Sequence, residues 1–461
     1  MKIHFIAIGG AVMHNLAIAL HKKGYNVTGS DDEIFEPSRS RLARYGLLPD
    51  NQGWDPAKIT HDLDTVILGM HAREDNPELI KARQLGLQIQ SFPEFLYEQT
   101  RDKIRVVIGG SHGKTTITSM IMHVLKFHKV SFDYMVGSIV EGFETMVGLS
   151  ESSKIAVFEG DEYLSSALDR RPKFHIYQPH ISLISGIAWD HMNVFPTYEN
   201  YLEQFRTFID KTEVGGSLVY SADDEEVSNL VKSSGRLLDY IPYRVHPNRI
   251  KEGKTYLIDD EREYPVAVFG QHNMQNINGA KLVCEMLGIS NEMFYNAIQN
   301  FSGAGKRMQL LQENNHTAIY LDFAHAPSKV RATTSALKEQ YPERWLTALL
   351  ELHTFSSLNA RFLPLYEATM QSADKAIVYF NPHTVAHKKL PEITRDQVQD
   401  AFNQQDLWVY NDAAKLVKDL LNSEWKGSNL LIMTSGNFDG QDLNALAKTI
   451  IDQGGQNHHT D

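Results

Sequence analysis

The pattern of hydrophobic and polar positions divides the chain into two kinds of segment, which alternate along it. Short apolar runs rich in β-branched residues predict buried strands, and longer segments with apolar residues three or four positions apart predict helices. By these criteria Lys2–Ile8 and Thr65–Leu68 are strands, and Ala11–Lys23 is a helix. The repeated order of strand and helix predicts a doubly wound α/β unit at the start of the chain.

The stretch Ile104–Thr116 carries the strongest chemical signal. A β-branched run ends at two glycines, and a helical pattern follows at once. Strand, glycine-rich turn and helix N-terminus form a phosphate-binding geometry, because backbone N–H groups and the helix dipole face the anion. Lys114 is expected on the outer phosphates of a nucleotide, and the Thr115 hydroxyl on Mg²⁺. The alternative is a turn that needs its glycines only for backbone conformation. The predicted phosphate-loop residues are Gly110, Ser111, His112, Gly113, Lys114, Thr115 and Thr116.

The α/β alternation continues to the C-terminus and predicts three domains. A length of 461 residues agrees with this number, since a domain holds about 150 residues. We predict a Rossmann-like domain over residues 1–103, a P-loop ATPase domain over residues 104–312 and a second Rossmann-like domain over residues 313–461. The segment Tyr240–Val268 has the turns of a small antiparallel layer.

Charged side chains follow two strands predicted beside the phosphate loop. Glu159 and Glu162 follow the strand Lys154–Phe158, and His191 follows the strand Ile181–Ile187. Carboxylates in this position bind Mg²⁺ directly or through water, although a solvated acidic turn is the alternative. His191 is either a metal ligand or a positive charge for the phosphates of ATP.

The first βα turn is a second, weaker nucleotide signal. It contains Gly9 and Gly10 but lacks the complete dinucleotide fingerprint, so a plain βα turn is an equal alternative. Asp31 stands about 20 residues on, where an acidic residue binds a ribose hydroxyl. His71 follows a strand end, where such sheets bind ligands, and a surface histidine is the alternative. This turn keeps a nicotinamide oxidoreductase among the hypotheses.

Composition excludes several classes of function. Lysine and arginine number 45 and aspartate and glutamate 57, so the net charge of −12 disfavours nucleic-acid binding. The single cysteine, Cys284, rules out an internal disulfide framework and fits a reducing, cytoplasmic environment. No run of about 18 apolar residues predicts a membrane span.

Five motifs together resemble those of the Mur ligase family, and the resemblance covers nearly the whole chain. They are Gly110–Thr116, Glu159–Glu162, Trp189–His191, His272–Asn276 and Asp322–His325. Two further stretches, residues 69–77 and 161–174, are similar to the murein peptide ligase branch of that family. The resemblance implies an ATP-dependent ligase that joins the carboxylate of UDP-N-acetylmuramate to the amine of the cell-wall tripeptide L-alanyl-γ-D-glutamyl-meso-diaminopimelate. It implies an acyl phosphate intermediate and a place in peptidoglycan recycling.

The resemblance also implies roles for individual residues. The catalytic residues would be Lys114, His191 and His325. Mg²⁺ would be held by Thr115, Glu159, Glu162 and His191. ATP would contact the phosphate loop together with His272, Asn273, Asn276, Arg307 and Asp322, and the two asparagines would bind adenine, although such an amide can equally cap a helix. UDP-N-acetylmuramate would contact Gly9, Gly10, Ser30, Asp31 and His71.

Three alternatives stay open at this point. Free L-alanine competes with the tripeptide as the incoming amine, because the segment Glu351–Phe355 follows the tripeptide branch only loosely. A nicotinamide oxidoreductase is the second alternative, and a non-catalytic nucleotide-binding protein is the third.

Overall fold

A computed structural model describes residues 1–70, 72–189, 194–303, 305 and 307–456 of the chain. The chain divides into two compact units. The first contains residues 1–244 and 276–298, and the second contains residues 245–275 and 299–461. Both units consist of sheets with flanking helices, so the predicted α/β class is confirmed.

The first unit begins with a parallel sheet of four strands in the order β2-β1-β3-β4. Local sequence signals place its last two helices: Asn76 caps the N-terminus of α3, and Ser91 and Glu94 form a capping box on α4. The elements are β1 (Lys2–Ile6), α1 (Ala11–Lys22), β2 (Asn26–Ser30), α2 (Ser38–Arg44), β3 (Thr65–Leu68), α3 (Pro77–Gln84), β4 (Ile89–Ser91) and α4 (Phe92–Gln99).

A sheet of seven strands follows in the same unit, in the order β11-β10-β9-β5-β8-β6-β7. Only the short edge strand β7 is antiparallel to its neighbour. The elements are β5 (Ile104–Gly109), α5 (Lys114–Phe127), β6 (Asp133–Met135), β7 (Val147–Gly148), β8 (Ile155–Glu159), β9 (Ile181–Ile184), α6 (Tyr198–Lys211), β10 (Ser217–Ser221), α7 (Glu225–Ser233) and β11 (Asp239–Tyr243).

The predicted antiparallel layer is confirmed for most of its length. It consists of β12 (Asn248–Lys251), β13 (Lys254–Asp259) and β14 (Arg262–Val266) in the second unit. Its predicted start at Tyr240 is wrong, because β11 pairs in parallel with β10 in the first unit. Two helices follow in the chain, α8 (Gln271–Met286) and α9 (Asn291–Ile298).

The rest of the second unit is a six-stranded sheet in the order β15-β16-β20-β17-β18-β19, in which β15 is the antiparallel strand. Helices cover both faces of the sheet, and its strands are buried runs such as residues 346–352. The elements are β15 (Gln309–Glu313), β16 (Ala318–Asp322), α10 (Pro327–Gln340), β17 (Trp345–Leu352), β18 (Lys375–Phe380), α11 (Pro382–His387), α12 (Arg395–Phe402), β19 (Trp408–Tyr410), α13 (Ala413–Leu421), β20 (Ser428–Met433) and α14 (Leu443–Gln456).

None of the helices in the described part of the chain is long and apolar enough to cross a membrane.

Candidate active site

The predicted phosphate loop connects β5 to α5 in the middle of the seven-stranded sheet. Two of its glycines have positive φ, +132° at Gly110 and +79° at Gly113. A Cβ atom would lie 2.1 Å from Ser185 Oγ at Gly110 and 2.5 Å from Asn276 Oδ1 at Gly113. Both backbone conformation and close packing therefore demand glycine at these positions.

Strand pairing places a carboxylate beside the loop. Ile108 of β5 pairs with Glu159 of β8, so both strands end at the same edge of the sheet. The Thr115 hydroxyl donates to Glu159 Oε1 at 2.9 Å, and the Gly137 N–H donates to Oε2 at 2.7 Å. Glu159 is only 8% exposed. Burial raises the pKa of this carboxyl above its ordinary value, although Lys114 and the two donors oppose the shift.

Lys114 binds a second buried carboxylate at this edge. Its Nζ lies 2.6 Å from Glu162 Oε2 and donates to the Gly110 carbonyl oxygen, also at 2.6 Å. Burial lowers the pKa of Lys114, but the charges of Glu162 and Asp161 outweigh burial, so the pKa is raised. Lys114 is therefore a cation at neutral pH, held between the loop backbone and a carboxylate.

Two further side chains fix the geometry around Lys114. The Tyr201 hydroxyl, from α6, donates to Glu162 Oε1 at 3.2 Å. It also lies 2.8 Å from the hydroxyl of Ser111 in the loop. The carboxylate of Asp161 pairs with Lys173, which with Lys114 holds the pKa of Asp161 below its ordinary value despite burial. Sequence reasoning missed Tyr201, since nothing in its local sequence links it to the loop.

The predicted metal set is only partly described. Thr115, Glu159 and Glu162 lie together at the loop, whereas His191 is outside the described residues. Within the described ranges, no three His, Cys, Asp or Glu side chains are grouped to hold a metal ion. The oxygen atoms of Thr115 and Glu159 nevertheless suit a hard cation such as Mg²⁺.

The first βα turn of the chain has a different arrangement. The Gly9 N–H donates to Asp31 Oδ2 at 2.7 Å, and Asp31 is 1% exposed. Ser30 lies beside it at the end of β2, and its hydroxyl accepts from Lys58 Nζ at 3.3 Å. The structure thus brings Gly9, Gly10, Ser30 and Asp31 to one end of the sheet, while His71 is outside the described residues.

A cavity of about 650 Å³ opens at the same end of the four-stranded sheet. Arg73, Trp54 and Phe35 are among its lining residues, and none of them was predicted from the sequence as a ligand contact. Of these three, only Arg73 comes shortly after the end of β3, and that position alone does not indicate a ligand contact. The remaining lining residues are Asp32, Glu33, Met70, Asp75, Asn76 and Pro77.

The other predicted ATP residues divide between the two units. Asn276 belongs to the first unit and packs on Gly113. Asn273 belongs to the second unit, where its amide donates to the Phe269 carbonyl oxygen at 2.9 Å.

His272, Arg307 and Asp322 lie near one another in the second unit. Burial lowers the pKa of His272, Asp322 opposes this shift, and Arg307 adds to it. Asp322 accepts from the backbone N–H groups of Met308 and Ala324, each at 2.7 Å. His325 is three residues further on, with its ring against Phe323.

The six-stranded sheet carries another buried carboxylate at its C-terminal edge. Glu351, 2% exposed, accepts from the Thr434 hydroxyl and from the Phe438 N–H at 3.2 and 3.3 Å. His353 Nδ1 lies 3.7 Å from Glu351 Oε1. Burial raises the pKa of Glu351 above its ordinary value. Glu351 begins the segment Glu351–Phe355, which was compared above with the tripeptide branch.

Parallel α/β sheets with a lysine-bearing phosphate loop define this chain as a phosphate-loop nucleotide-binding α/β protein. Three family models match in chain order. They are described as Mur ligase family, catalytic domain (residues 2–103), Mur ligase middle domain (residues 108–284) and Mur ligase, glutamate ligase domain (residues 306–438).

Individual relatives agree with these matches. UDP-N-acetylmuramate–L-alanine ligase of Caldicellulosiruptor bescii is 30% identical over 82% of this chain and 83% of its own. UDP-N-acetylmuramate–L-alanyl-γ-D-glutamyl-meso-2,6-diaminoheptandioate ligase of Haemophilus influenzae is 26% identical over 95% of this chain and 97% of its own. The crystal structure of UDP-N-acetylmuramate–alanine ligase from Thermotoga maritima shares the fold, with a TM-score of 0.69, 20% identity and coverage of 98% and 99%.

The chain belongs to the Mur ligase family. Mur ligases are ATP-dependent enzymes that form amide bonds, so the predicted enzyme class is confirmed. Family membership decides against the oxidoreductase and non-catalytic hypotheses.

Proposed function

We propose that this enzyme joins the lactoyl carboxylate of UDP-N-acetylmuramate to the amine of L-alanyl-γ-D-glutamyl-meso-diaminopimelate, using ATP and Mg²⁺. One observation carries the ATP-dependent part of this proposal. At the phosphate loop, Lys114 and Thr115 each bind a buried carboxylate from the neighbouring β8 segment, Glu162 and Glu159 respectively. The reaction brings a carboxylate to a triphosphate, and two anions approach closely only where cations lie between them.

The residues at the loop fit a divalent cation. Glu162 is already bound by Lys114 and Tyr201, whereas Glu159 is a buried carboxylate held only by neutral donors in the contacts described above. We therefore assign Thr115 and Glu159 to the first Mg²⁺, which would neutralise phosphate charge. Glu162 and His191 stay the proposed ligands of a second ion. Lys114 would orient the terminal phosphate for attack by the sugar carboxylate, giving an acyl phosphate and ADP.

The contacts to the nucleotide base and ribose are those that the sequence resemblance implies. Asn276 adjoins the loop at Gly113, and Asn273 lies one helical turn before it on α8. We propose that these two side-chain amides form hydrogen bonds with the adenine ring. Arg307 and Asp322, with His272 nearby, would bind phosphate and ribose, and His325 would act close to the reacting groups.

The sugar nucleotide is assigned to the N-terminal sheet, with Gly9, Gly10, Ser30, Asp31 and His71 as its contacts. The cavity beside this turn adds two groups with suitable chemistry. A guanidinium such as that of Arg73 binds diphosphate in a bidentate manner, and an indole such as that of Trp54 stacks on a uracil ring.

A surface near Glu351 supports a peptide as the incoming amine. Phe355, 57% exposed, follows β17, and Lys388 Nζ lies 4.5 Å from the centre of its ring. The tripeptide carries several carboxylates and more apolar stem than L-alanine does. An exposed aromatic ring with a cation over it offers both contacts, and the Haemophilus influenzae relative is named for this tripeptide.

L-Alanine is the second candidate amine, because the Caldicellulosiruptor bescii relative is named for it. Phosphate release with UDP-N-acetylmuramate, ATP, Mg²⁺ and each amine in turn separates the two. We expect kcat/KM for the tripeptide to exceed that for L-alanine by at least about 100-fold, the scale on which a binding site discriminates between substrates. Equal or greater kcat/KM for L-alanine contradicts the proposed amine. Absence of phosphate release with both amines contradicts the proposed reaction.

A further inference from the structure

The loop between β6 and β7, residues 136–146, contacts elements of both proposed nucleotide sites in the first unit. The loop is closed at its base, because the Val136 N–H donates to the Met146 carbonyl oxygen at 3.0 Å. We call it the 136–146 loop. Apart from the Gly137 N–H bond to Glu159, the contacts of this loop have no part in the function proposed above.

One end of the 136–146 loop holds the carboxylate assigned to Mg²⁺. The Gly137 N–H donates to Glu159 Oε2 at 2.7 Å, and Thr115 of the phosphate loop donates to the other carboxylate oxygen. A Cβ atom on Gly137 would lie 2.9 Å from Glu159 Oε1. The backbone therefore lies directly against this carboxylate, and its position determines where Glu159 points.

The other end of the 136–146 loop is held by α1, the helix that begins after Gly10. Asn15 is fully buried, and its Oδ1 accepts from the Met146 N–H at 3.0 Å and from Arg41 Nη2 at 2.9 Å. Arg41 Nη2 also donates to the Glu144 carbonyl oxygen at 2.6 Å. Two donors from different elements thus converge on one amide oxygen.

Asn15 is also bound to the turn assigned to the sugar nucleotide. Its Nδ2 donates to the carbonyl oxygen of Ala11, the first residue of α1, at 2.7 Å. A ligand that moves the turn at Gly9 and Gly10 would therefore move Asn15 with it. The sequence after the glycines, Ala-Val-Met-His-Asn, supplies this side chain.

These contacts form an unbroken path through the first unit. Met146 makes two of these contacts: its N–H donates to Asn15 Oδ1, and its carbonyl oxygen accepts from the Val136 N–H. The path runs through Asn15, Met146, Val136, Gly137, Glu159 and Thr115.

We propose that Asn15 is a positioning residue that couples the UDP-N-acetylmuramate site to the Mg²⁺–ATP site through the 136–146 loop. The inference rests on the proposed function, because it takes the first turn and the phosphate loop as the two ligand sites. Coupling of this kind is reciprocal: each ligand changes the affinity of the other by the same factor.

Calorimetric titration with the non-hydrolysable analogue AMP-PNP and Mg²⁺, without and with saturating UDP-N-acetylmuramate, measures that factor. In the wild-type enzyme we expect the sugar nucleotide to change the analogue's Kd by at least about five-fold, the lower end of typical coupling. Asn15→Leu keeps the volume but removes the acceptor, so the factor should fall close to one. Asn15→Asp keeps an oxygen for Met146 and Arg41 but loses the donor to the Ala11 carbonyl oxygen, so coupling should weaken less than in Asn15→Leu. Glu151→Gln changes an exposed carboxylate outside the 136–146 loop and should behave as wild type.

The outcomes separate this inference from the proposed function. Wild-type coupling in a folded Asn15→Leu variant overturns the inference, as does a wild-type enzyme that binds both ligands independently; the proposed function survives both results. Failure of the wild-type enzyme to bind UDP-N-acetylmuramate overturns the proposed function instead. If Asn15→Leu does not fold, Arg41→Met removes one of the two donors to Asn15 Oδ1. It should weaken the coupling by a smaller factor, and unchanged coupling there overturns the inference.

Discussion

The two glycine turns of the first unit have the same order of elements and opposite electrostatics. Both follow a buried strand and open a helix, at Gly9–Gly10 and at Gly109–Gly113. At the first turn, the N–H of Gly9 is already bound by a carboxylate of the protein, that of Asp31. At the second, the cation Lys114 lies on the loop, and the nearby carboxylates are held by Lys114 and Thr115.

This difference shows that a glycine turn alone does not define a phosphate site. A turn at the N-terminus of a helix attracts phosphate through its backbone N–H groups and the helix dipole. A carboxylate that already accepts from those N–H groups offsets this attraction. The first turn is thus better suited to hydroxyl groups of a ligand, because a carboxylate such as that of Asp31 accepts hydrogen bonds from hydroxyl groups. The second suits the polyphosphate and Mg²⁺ proposed above, because it adds the cation Lys114 and the oxygen atoms of Thr115 and Glu159.

Removing the cation of the second turn should have the largest effect. Lys114→Ala is expected to lower kcat by at least about 100-fold, since preorganised charge at a reacting anion contributes on that scale. Phosphate release with UDP-N-acetylmuramate and tripeptide measures it. Lys211→Ala, an exposed lysine at the end of α6, is the control and should retain wild-type turnover. Near-normal turnover in Lys114→Ala would refute the role assigned to the loop.

The same substitution leaves the buried carboxylate of Glu162 without its cation. We expect the free energy of unfolding to fall by about 3–5 kcal/mol, the cost of removing one partner of a buried ion pair. Adding Glu162→Gln should restore part of this stability without restoring turnover. Recovery of turnover in the double variant would mean that Lys114 acts only by neutralising Glu162.

Removing the anion of the first turn should have a smaller effect, and of a different kind. Asp31→Ala leaves the Gly9 N–H unpaired and is expected to cost about 1–3 kcal/mol of unfolding free energy. It should raise the KM for UDP-N-acetylmuramate while leaving kcat within a few-fold of wild type. Asp31→Asn keeps an acceptor for Gly9 and should be nearly as stable as wild type. If Asp31→Ala lowered kcat as strongly as Lys114→Ala, the two turns would not differ in role.

A site can be predicted from sequence when its residues are close together in the chain, and less well when they are far apart. The phosphate loop is local: strand, glycines, Lys114 and helix are contiguous, so the pattern sufficed to place them. The contact between Thr115 and Glu159 depends on the pairing of β5 with β8, which only the fold fixes, although the strand-end pattern pointed to Glu159. The contact of Tyr201 with Glu162 comes from α6 and leaves no local signal. The cavity positions of Arg73 and Trp54 were likewise not predicted, because the cavity is lined by separate loops that come together only in the fold.

The smallest expected effect concerns the protonation of Glu159. Burial raises the pKa of Glu159 in the folded state. At pH values between the ordinary glutamate pKa of about 4.3 and this raised pKa, the folded state therefore binds more protons than the unfolded state. Stability contributed by this group is therefore lost as the pH rises through the raised folded value. Asp161, whose pKa is lowered mainly by Lys173 against the effect of burial, behaves oppositely and loses its contribution as the pH falls.

Glu159→Gln removes the charge and keeps a side chain able to bond with both Gly137 and Thr115. Without Mg²⁺, we expect this variant to be more stable than wild type by about 1 kcal/mol at neutral pH, the ordinary scale of one substitution. The difference should shrink as the pH falls through the raised pKa of Glu159, where the wild-type carboxyl gains its proton. Mg²⁺ should stabilise the wild type more than the variant, because the ion needs the ionised carboxylate. Urea unfolding across this pH range, with and without Mg²⁺, measures both differences. A variant that is equally stabilised by Mg²⁺ would remove Glu159 from the metal site, and the second turn would then differ from the first only in its cation.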